Sequence, residues 1–250
     1  MSVTLPFAPL AQALAWSQLY TRDVLHTEDS IPVFCEHDFD GYIANYEQIA
    51  ADHLDHIATG GCNPWQPEAY LLAMEGATAS IIGKYALPGD RILDVGVCLG
   101  RLLALLPDLD RYGIDISVPY LQAARSEGIE VALARAEDLP YPDGFFNIVA
   151  CTDVLEHVLD LHQSVSECLR VLRPGGTLVV RVPQEDDLAA YLADDFPYRF
   201  VHLRRFDVPT LRLLFGRVFV AEILMIAELS AASEGTSGRE IVVAIRKPPA

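Results

Sequence analysis

The 250-residue sequence predicts an α/β fold: a mainly parallel sheet with helices on both faces, closed by antiparallel strands and preceded by a helical segment. Three observations carry this. From Pro88–Gly89 onward, short apolar runs alternate with helical segments, the pattern of βαβ crossovers. At Ile92–Leu103 (ILDVGVCLGRLL) an apolar strand runs through a glycine-containing turn directly into a helix. Near the C-terminus two apolar runs are separated only by a Ser/Gly-rich stretch, which reads as an antiparallel pair.

The elements follow in order. Pro9–Leu25 and Tyr42–Ala58 have helical periodicity, the second ending at Gly60–Gly61. Pro64 and Pro67 open a third helix, Glu68 to Tyr85, and the stretch EDSIPVFCEHDFDG between the first two reads as irregular. Strands are expected at Arg91–Val97, Arg111–Ile116, Glu130–Ala134, Phe146–Cys151 and Gly176–Val182. Helices fall between them, starting at Arg101, ending near Glu127, and spanning Leu161–Leu172, with another at Pro209–Phe215. Val218–Ile226 and Glu240–Arg246 form the closing pair, which makes seven strands. Two regions result: residues 1–85, a helical cap shaping an acceptor pocket, and residues 86–250, the sheet-containing core.

Composition narrows the function. A formal net charge of −17 repels phosphate backbones and anionic lipid, so nucleic acid and membrane surfaces are poor partners and small molecules better ones. Five scattered cysteines with no C-x-x-C pair argue against a disulfide framework and a zinc site, and fit a reducing cytoplasm. No signal-like N-terminus or membrane-length apolar run is present. His53 and His56 share a helix face but lack a third ligand, and His37–Gly41 (HDFDG) lacks most ligands of a calcium loop, so no metal is expected.

The strand–turn–helix at 92–103 is the strongest local signal. Missing side chains at Gly96 and Gly100 let a ligand approach the backbone, although such turns also serve dinucleotides. Asp115, closing the second strand, is placed to accept hydrogen bonds from a ribose diol, or to cap the following helix.

In order, DVGVCLG, GIDIS, ARAEDLPYPDGFFNIVACTDVLEHV and LRVLRPGGTLVVRVP resemble the motif series of class I S-adenosylmethionine-dependent methyltransferases over residues 88–185. The resemblance implies a Rossmann-like domain and S-adenosylmethionine as cofactor, with S-adenosylhomocysteine as product. It places Gly96, Val97, Cys98 and Gly100 in the turn against the methionine part, and Asp94 near its amino group. Asp115 then holds the ribose, Ile116 meets the adenine face, and Ala136 and Glu137 sit at the adenine edge. Thr152 and Asp153 face the transferred methyl. Two positions depart from the family pattern: Cys98 replaces the middle glycine, and Arg135 replaces a common acidic residue that accepts from the adenine amino group.

Methyl transfer needs alignment above all, and a base if the acceptor is a hydroxyl. His157 and His202 are the candidate bases; the competing readings are a helix-start residue for His157 and a backbone-bonded one for His202. Tyr20, Tyr42, Tyr46 and Trp65 are candidate pocket walls that could equally be core, and Arg205 a candidate contact to an acidic acceptor. The expected activity is methyl transfer to O, N or C of a small-molecule acceptor, with a homodimer compatible. Two alternatives remain: a non-catalytic cofactor-binding partner subunit, favoured by Cys98 and Arg135, and a nicotinamide oxidoreductase. The second fits less well, because the turn lacks G-x-G-x-x-G.

Overall fold

A computed structural model describes residues 16–35, 41–61, 63–184, 186–233 and 236–248. Its nine strands are β1 (His26–Glu28), β2 (Ile31–Val33), β3 (Arg91–Val95), β4 (Asp110–Asp115), β5 (Glu130–Leu133), β6 (Phe146–Thr152), β7 (Leu172–Pro183), β8 (Glu222–Ser233) and β9 (Thr236–Arg246). The helices are α1 (Tyr42–Gly60), α2 (Glu68–Ile82), α3 (Arg101–Ala104), α4 (Val118–Ser126), α5 (Leu161–Val171) and α6 (Val208–Leu213).

All nine strands join one sheet in the order β1-β2-β5-β4-β3-β6-β7-β9-β8. The pairs from β2 through β5, β4, β3 and β6 to β7 are parallel. β9 runs antiparallel to both β7 and β8, as the closing apolar runs predict. The order reverses at β3, so the carboxyl ends of β3, β4 and β6 open onto the crevice where such sheets bind ligands.

Two expectations are corrected. Among the described residues the sheet has nine strands rather than seven, because the stretch read as irregular contains the β1–β2 hairpin. Its two-residue turn is Asp29–Ser30, both at positive φ (48° and 66°), and the fully buried Ile31–Val33 pairs with β5 through Val33 and Leu133. The first helix does not reach Leu25: helical backbone ends at residue 19, and the chain turns at 21–22 towards β1. Its residues before 16 lie outside the described ones, as do Cys62 and most of the HDFDG stretch.

Burial follows the alternation of the strands. One face of the sheet packs Leu93, Val95, Phe146, Val149 and Val180 against α5 and Phe215; the other packs Ile92, Ile148 and Val179 against Leu103, Leu121 and Ile82. Strands this apolar on both faces are those of a sheet covered on both sides. α5 begins with Asp160 as N-cap, its side chain accepting from the Gln163 N–H at 2.9 Å. No helix among the described residues is long and apolar enough to cross a membrane.

Candidate active site

A cleft of about 1250 Å³ opens over the carboxyl ends of β3, β4 and β6 and extends under α1 and the segment after β7. Its floor is the turn after β3. Gly96 has φ 79°, and a Cβ there would stand 2.3 Å from Val154 Cγ2, so only glycine fits. Val97 lines the cleft while covering Gly113, whose missing Cβ makes room for it at 2.7 Å. Cys98 holds φ 48° and donates its backbone N–H to Asp115 Oδ2 at 3.0 Å. Gly100 is a correction. It does not line the cleft; a Cβ there would meet Ile129 Cδ1 at 2.6 Å and the Ala124 backbone at 3.1 Å, so its work is to seat the turn against α4.

Asp115 is fixed by three backbone donors: Oδ1 accepts from Ile116 N (2.8 Å) and Ser117 N (3.0 Å), Oδ2 from Cys98 N. Burial pushes its carboxyl up to about 6 against the lowering effect of those bonds. Acceptor capacity remains on Oδ2. Asp94 is 2% exposed, its Oδ1 has no partner, and burial raises it well above the usual carboxylate range. An orphaned buried carboxylate is costly unless a ligand satisfies it. With Glu75, Asp115, Asp153 and Glu156 also on the wall, the acceptor set suits a ligand carrying an ammonium and a sulfonium.

Ile116, Ala136, Glu137, Thr152 and Asp153 all line the same cleft. Glu137 Oε1 accepts from Leu159 N at 3.1 Å and its Oε2 lies 3.6 Å from Arg135, so it ties the loop after β5 to the start of α5. Arg135 lies over the Tyr42 ring, 4.9 Å from its centroid. Asp153 is held by an ion pair with Arg181 of β7, which also meets Glu240 of β9 at 2.5 Å and donates to Thr78 Oγ1 at 3.1 Å. Tyr70 donates to Glu240 at 2.7 Å.

At the far end the two histidines come together. Their rings lie 4.5 Å apart, edge to face. His157 Nδ1 meets the Tyr46 hydroxyl at 2.9 Å; His202 Nδ1 meets Asp186 Oδ2 at 2.6 Å and the Tyr191 hydroxyl at 3.2 Å. Burial, then the neighbouring His202, pushes His157 down to about 3, so its imidazole is neutral. Beside them lies Glu156, 1% exposed, with neither oxygen hydrogen-bonded. Burial, followed by Asp153, raises it well above its usual range.

Tyr46 and Trp65 line the cleft as the sequence suggests. Tyr20 and Arg205 are corrected. Tyr20 is 5% exposed in the core, its ring 4.7 Å from Phe34 and 5.4 Å from Tyr141, because the chain after residue 19 packs behind the sheet edge. Arg205 is exposed and outside the cleft; its neighbour Arg204 turns inward and donates to the Leu155 carbonyl at 2.6 Å. Sequence reading missed Glu156, Asp186 and Arg181. For Glu156 and Arg181 the available signal was a charged residue inside an apolar run, as in VLEHV and VVRVP; Asp186, in QEDD, carries no such signal.

Residues 93–180 match the family described as a methyltransferase domain. A ubiquinone biosynthesis O-methyltransferase of Xanthomonas campestris pv. campestris is 30% identical over 188 residues, covering 67% of this chain and 77% of that one. One from Xylella fastidiosa is 34% identical over 158 residues, covering 57% of this chain; the match spans only 62% of that relative's length. The crystal structure of geranyl diphosphate C-methyltransferase from Streptomyces coelicolor, in complex with S-adenosylhomocysteine, superposes with a TM-score of 0.59 at 14% identity, covering 85% of this chain and all of the other (100%). The glycine turn, the buried carboxylates and these relatives agree: the chain belongs to the class I S-adenosylmethionine-dependent methyltransferases.

Proposed function

We propose that this protein transfers the methyl group of S-adenosylmethionine to a hydroxyl oxygen of a small aromatic acceptor. The observation that carries the choice of oxygen is the pair of oriented imidazoles at the far end of the cleft, His157 and His202, beside the carboxyl ends of β6 and β7. The relatives named as O-methyltransferases agree with it. Aromatic walls at Tyr46, Trp65, Phe196 and Tyr198 favour a flat acceptor.

The cofactor brings an activated methyl group. The turn residues Gly96 and Val97, with Asp94 and Asp115, would hold it, Thr152 and Asp153 would face its reactive end, and Arg181 keeps Asp153 in place. In the transfer, an acceptor oxygen lone pair forms the new O–CH₃ bond as the S–CH₃ bond breaks, its electron pair staying on sulfur. The hydroxyl proton leaves to the histidine cluster, where Asp186 orients His202. Alignment within the cleft supplies most of the rate. Within residues 1–85, Tyr46 of α1 and Trp65 before α2 provide the acceptor-side cover.

The test pairs binding with turnover. Calorimetry with S-adenosylhomocysteine should show micromolar binding that Asp115→Ala removes. A panel of phenols and catechols with labelled S-adenosylmethionine should yield a methyl ether. Binding without turnover on any hydroxyl, amine or carbon acceptor would instead make the protein a cofactor-binding partner subunit.

A further inference from the structure

Resting on that reading of the cleft, we propose that Glu156, His157 and His202 form a divalent-cation site of the borderline class, such as Zn²⁺ or Mn²⁺, that holds the acceptor oxygen. One ligand atom from each of the three lies within 4.8 Å of the others, and His157 Nε2 stands 3.9 Å from Glu156 Oε1. Around such a cation, bonded at roughly 2.0–2.2 Å, the ligands would close in by about an ångström.

Three features go beyond mere proximity. The Glu156 carboxyl group is 1% exposed and neither oxygen has a hydrogen-bond partner, so the fold buries a potential oxygen ligand with its coordinating atoms unused. Asp153, the nearby acid that could have competed for a cation, is already committed to Arg181. Each imidazole is also gripped through Nδ1, His157 by the Tyr46 hydroxyl and His202 by Asp186. This is the outer layer that metal-binding histidines require: it fixes both rings, and at His202, where the Asp186 carboxylate accepts, it puts the proton on Nδ1 and leaves Nε2 as the ligand atom.

Two nitrogens and one carboxylate oxygen select borderline transition cations over Mg²⁺ and Ca²⁺, which prefer oxygen cages. Three protein ligands also leave a coordination position open, the pattern of a catalytic rather than a structural site. That position faces the cleft, where the acceptor hydroxyl would bind. With a cation bound the two histidines serve as ligands in place of bases: the cation lowers the affinity of the acceptor oxygen for its proton, and that proton leaves to water in the open cleft. The sequence spacing hides this site, because His202 joins Glu156 and His157 only through the segment that follows β7.

The experiment uses the full chain, stripped with a chelator and titrated separately with Zn²⁺, Mn²⁺ and Mg²⁺ by calorimetry, with S-adenosylhomocysteine titrated in parallel. One Zn²⁺ or Mn²⁺ per chain should bind, with Mg²⁺ at least tenfold weaker. Co²⁺ loading should give the visible absorption of a nitrogen-ligated centre. His202→Asn should weaken cation binding at least tenfold and keep S-adenosylhomocysteine binding. Asp186→Asn, which removes no ligand, should weaken it about tenfold, so the proposal stays testable if Glu156→Gln fails to fold. Absence of stoichiometric Zn²⁺ or Mn²⁺ binding, or affinity unchanged in both His202→Asn and Asp186→Asn, overturns the site. Loss of S-adenosylhomocysteine binding by the unaltered chain would overturn the methyltransferase reading instead.

Discussion

Asp115 shows how one residue couples fold, proton and ligand. Its carboxyl is raised to about 6 by burial, above its value in the unfolded chain. Its contribution to the stability of the ligand-free protein is therefore fully present below the unfolded pKa and is lost as pH rises through about 6. Ribose hydroxyls need the ionised form, so cofactor binding has the opposite dependence. We expect the affinity for S-adenosylhomocysteine to fall by about tenfold per pH unit below about 6, and Asp115→Asn to bind weakly with no such slope; calorimetry across pH 4.5–7.5, roughly this window, checks both. Cys98 is the second informative residue. It stands at φ 48°, a conformation glycine adopts freely, and its contribution to Asp115 comes through the backbone N–H. Cys98→Gly should therefore keep cofactor binding within about threefold and leave stability within about 1 kcal/mol of the parent, measured by calorimetry and thermal melting. A large loss of affinity would show that the thiol itself is needed.

At the scale of elements, helix ends and turns set where the site residues sit. Asp160 caps α5, and that junction follows directly on the segment carrying Glu156 and His157. Asp160→Ala should cost about 1 kcal/mol and lower the melting temperature by about 2–4 °C. The β1–β2 hairpin turns through Asp29 and Ser30, both at positive φ. Glycine is free of the strain that serine meets there, so Ser30→Gly should stabilise by about 0.5–1 kcal/mol, seen as a melting temperature higher by about 2 °C. A decrease would mean that the serine side chain contributes something the turn geometry does not reveal. The hairpin escaped sequence reading because its strands are three residues each and its turn lacks the Asn-Gly or Asp-Gly pair that usually marks one.

For the whole molecule, the cleft joins the sheet crevice to α1 and the segment after β7, so ligand binding and stability are linked. S-adenosylhomocysteine at 100 times its dissociation constant should add about 2.7 kcal/mol to stability. For a chain of this size that is a rise of about 5–10 °C in melting temperature, absent in Asp115→Ala. Asp94, Asp115, Asp153 and Glu156 share one wall of the cleft, where Arg181 pairs with Asp153.

The sequence by itself determined the parallel core, the glycine turn at 96, the carboxylate at 115 and the closing antiparallel pair. Each is written in local periodicity or in a short motif whose parts are neighbours in the chain. It also placed Tyr46 and Trp65 by residue type, yet by the same reasoning put Tyr20 and Arg205 on the cleft wall, because an aromatic or a cation carries no label for which side of a sheet it meets. Tertiary structure alone decided that Gly100 packs on α4, that Arg181 restrains Asp153, and that Glu156, His157 and His202 meet with Asp186 and Tyr46 behind them. Those groups come from α1, the end of β6 and the segment after β7. Their meeting depends on how crossovers and loops close in space, which no local pattern encodes.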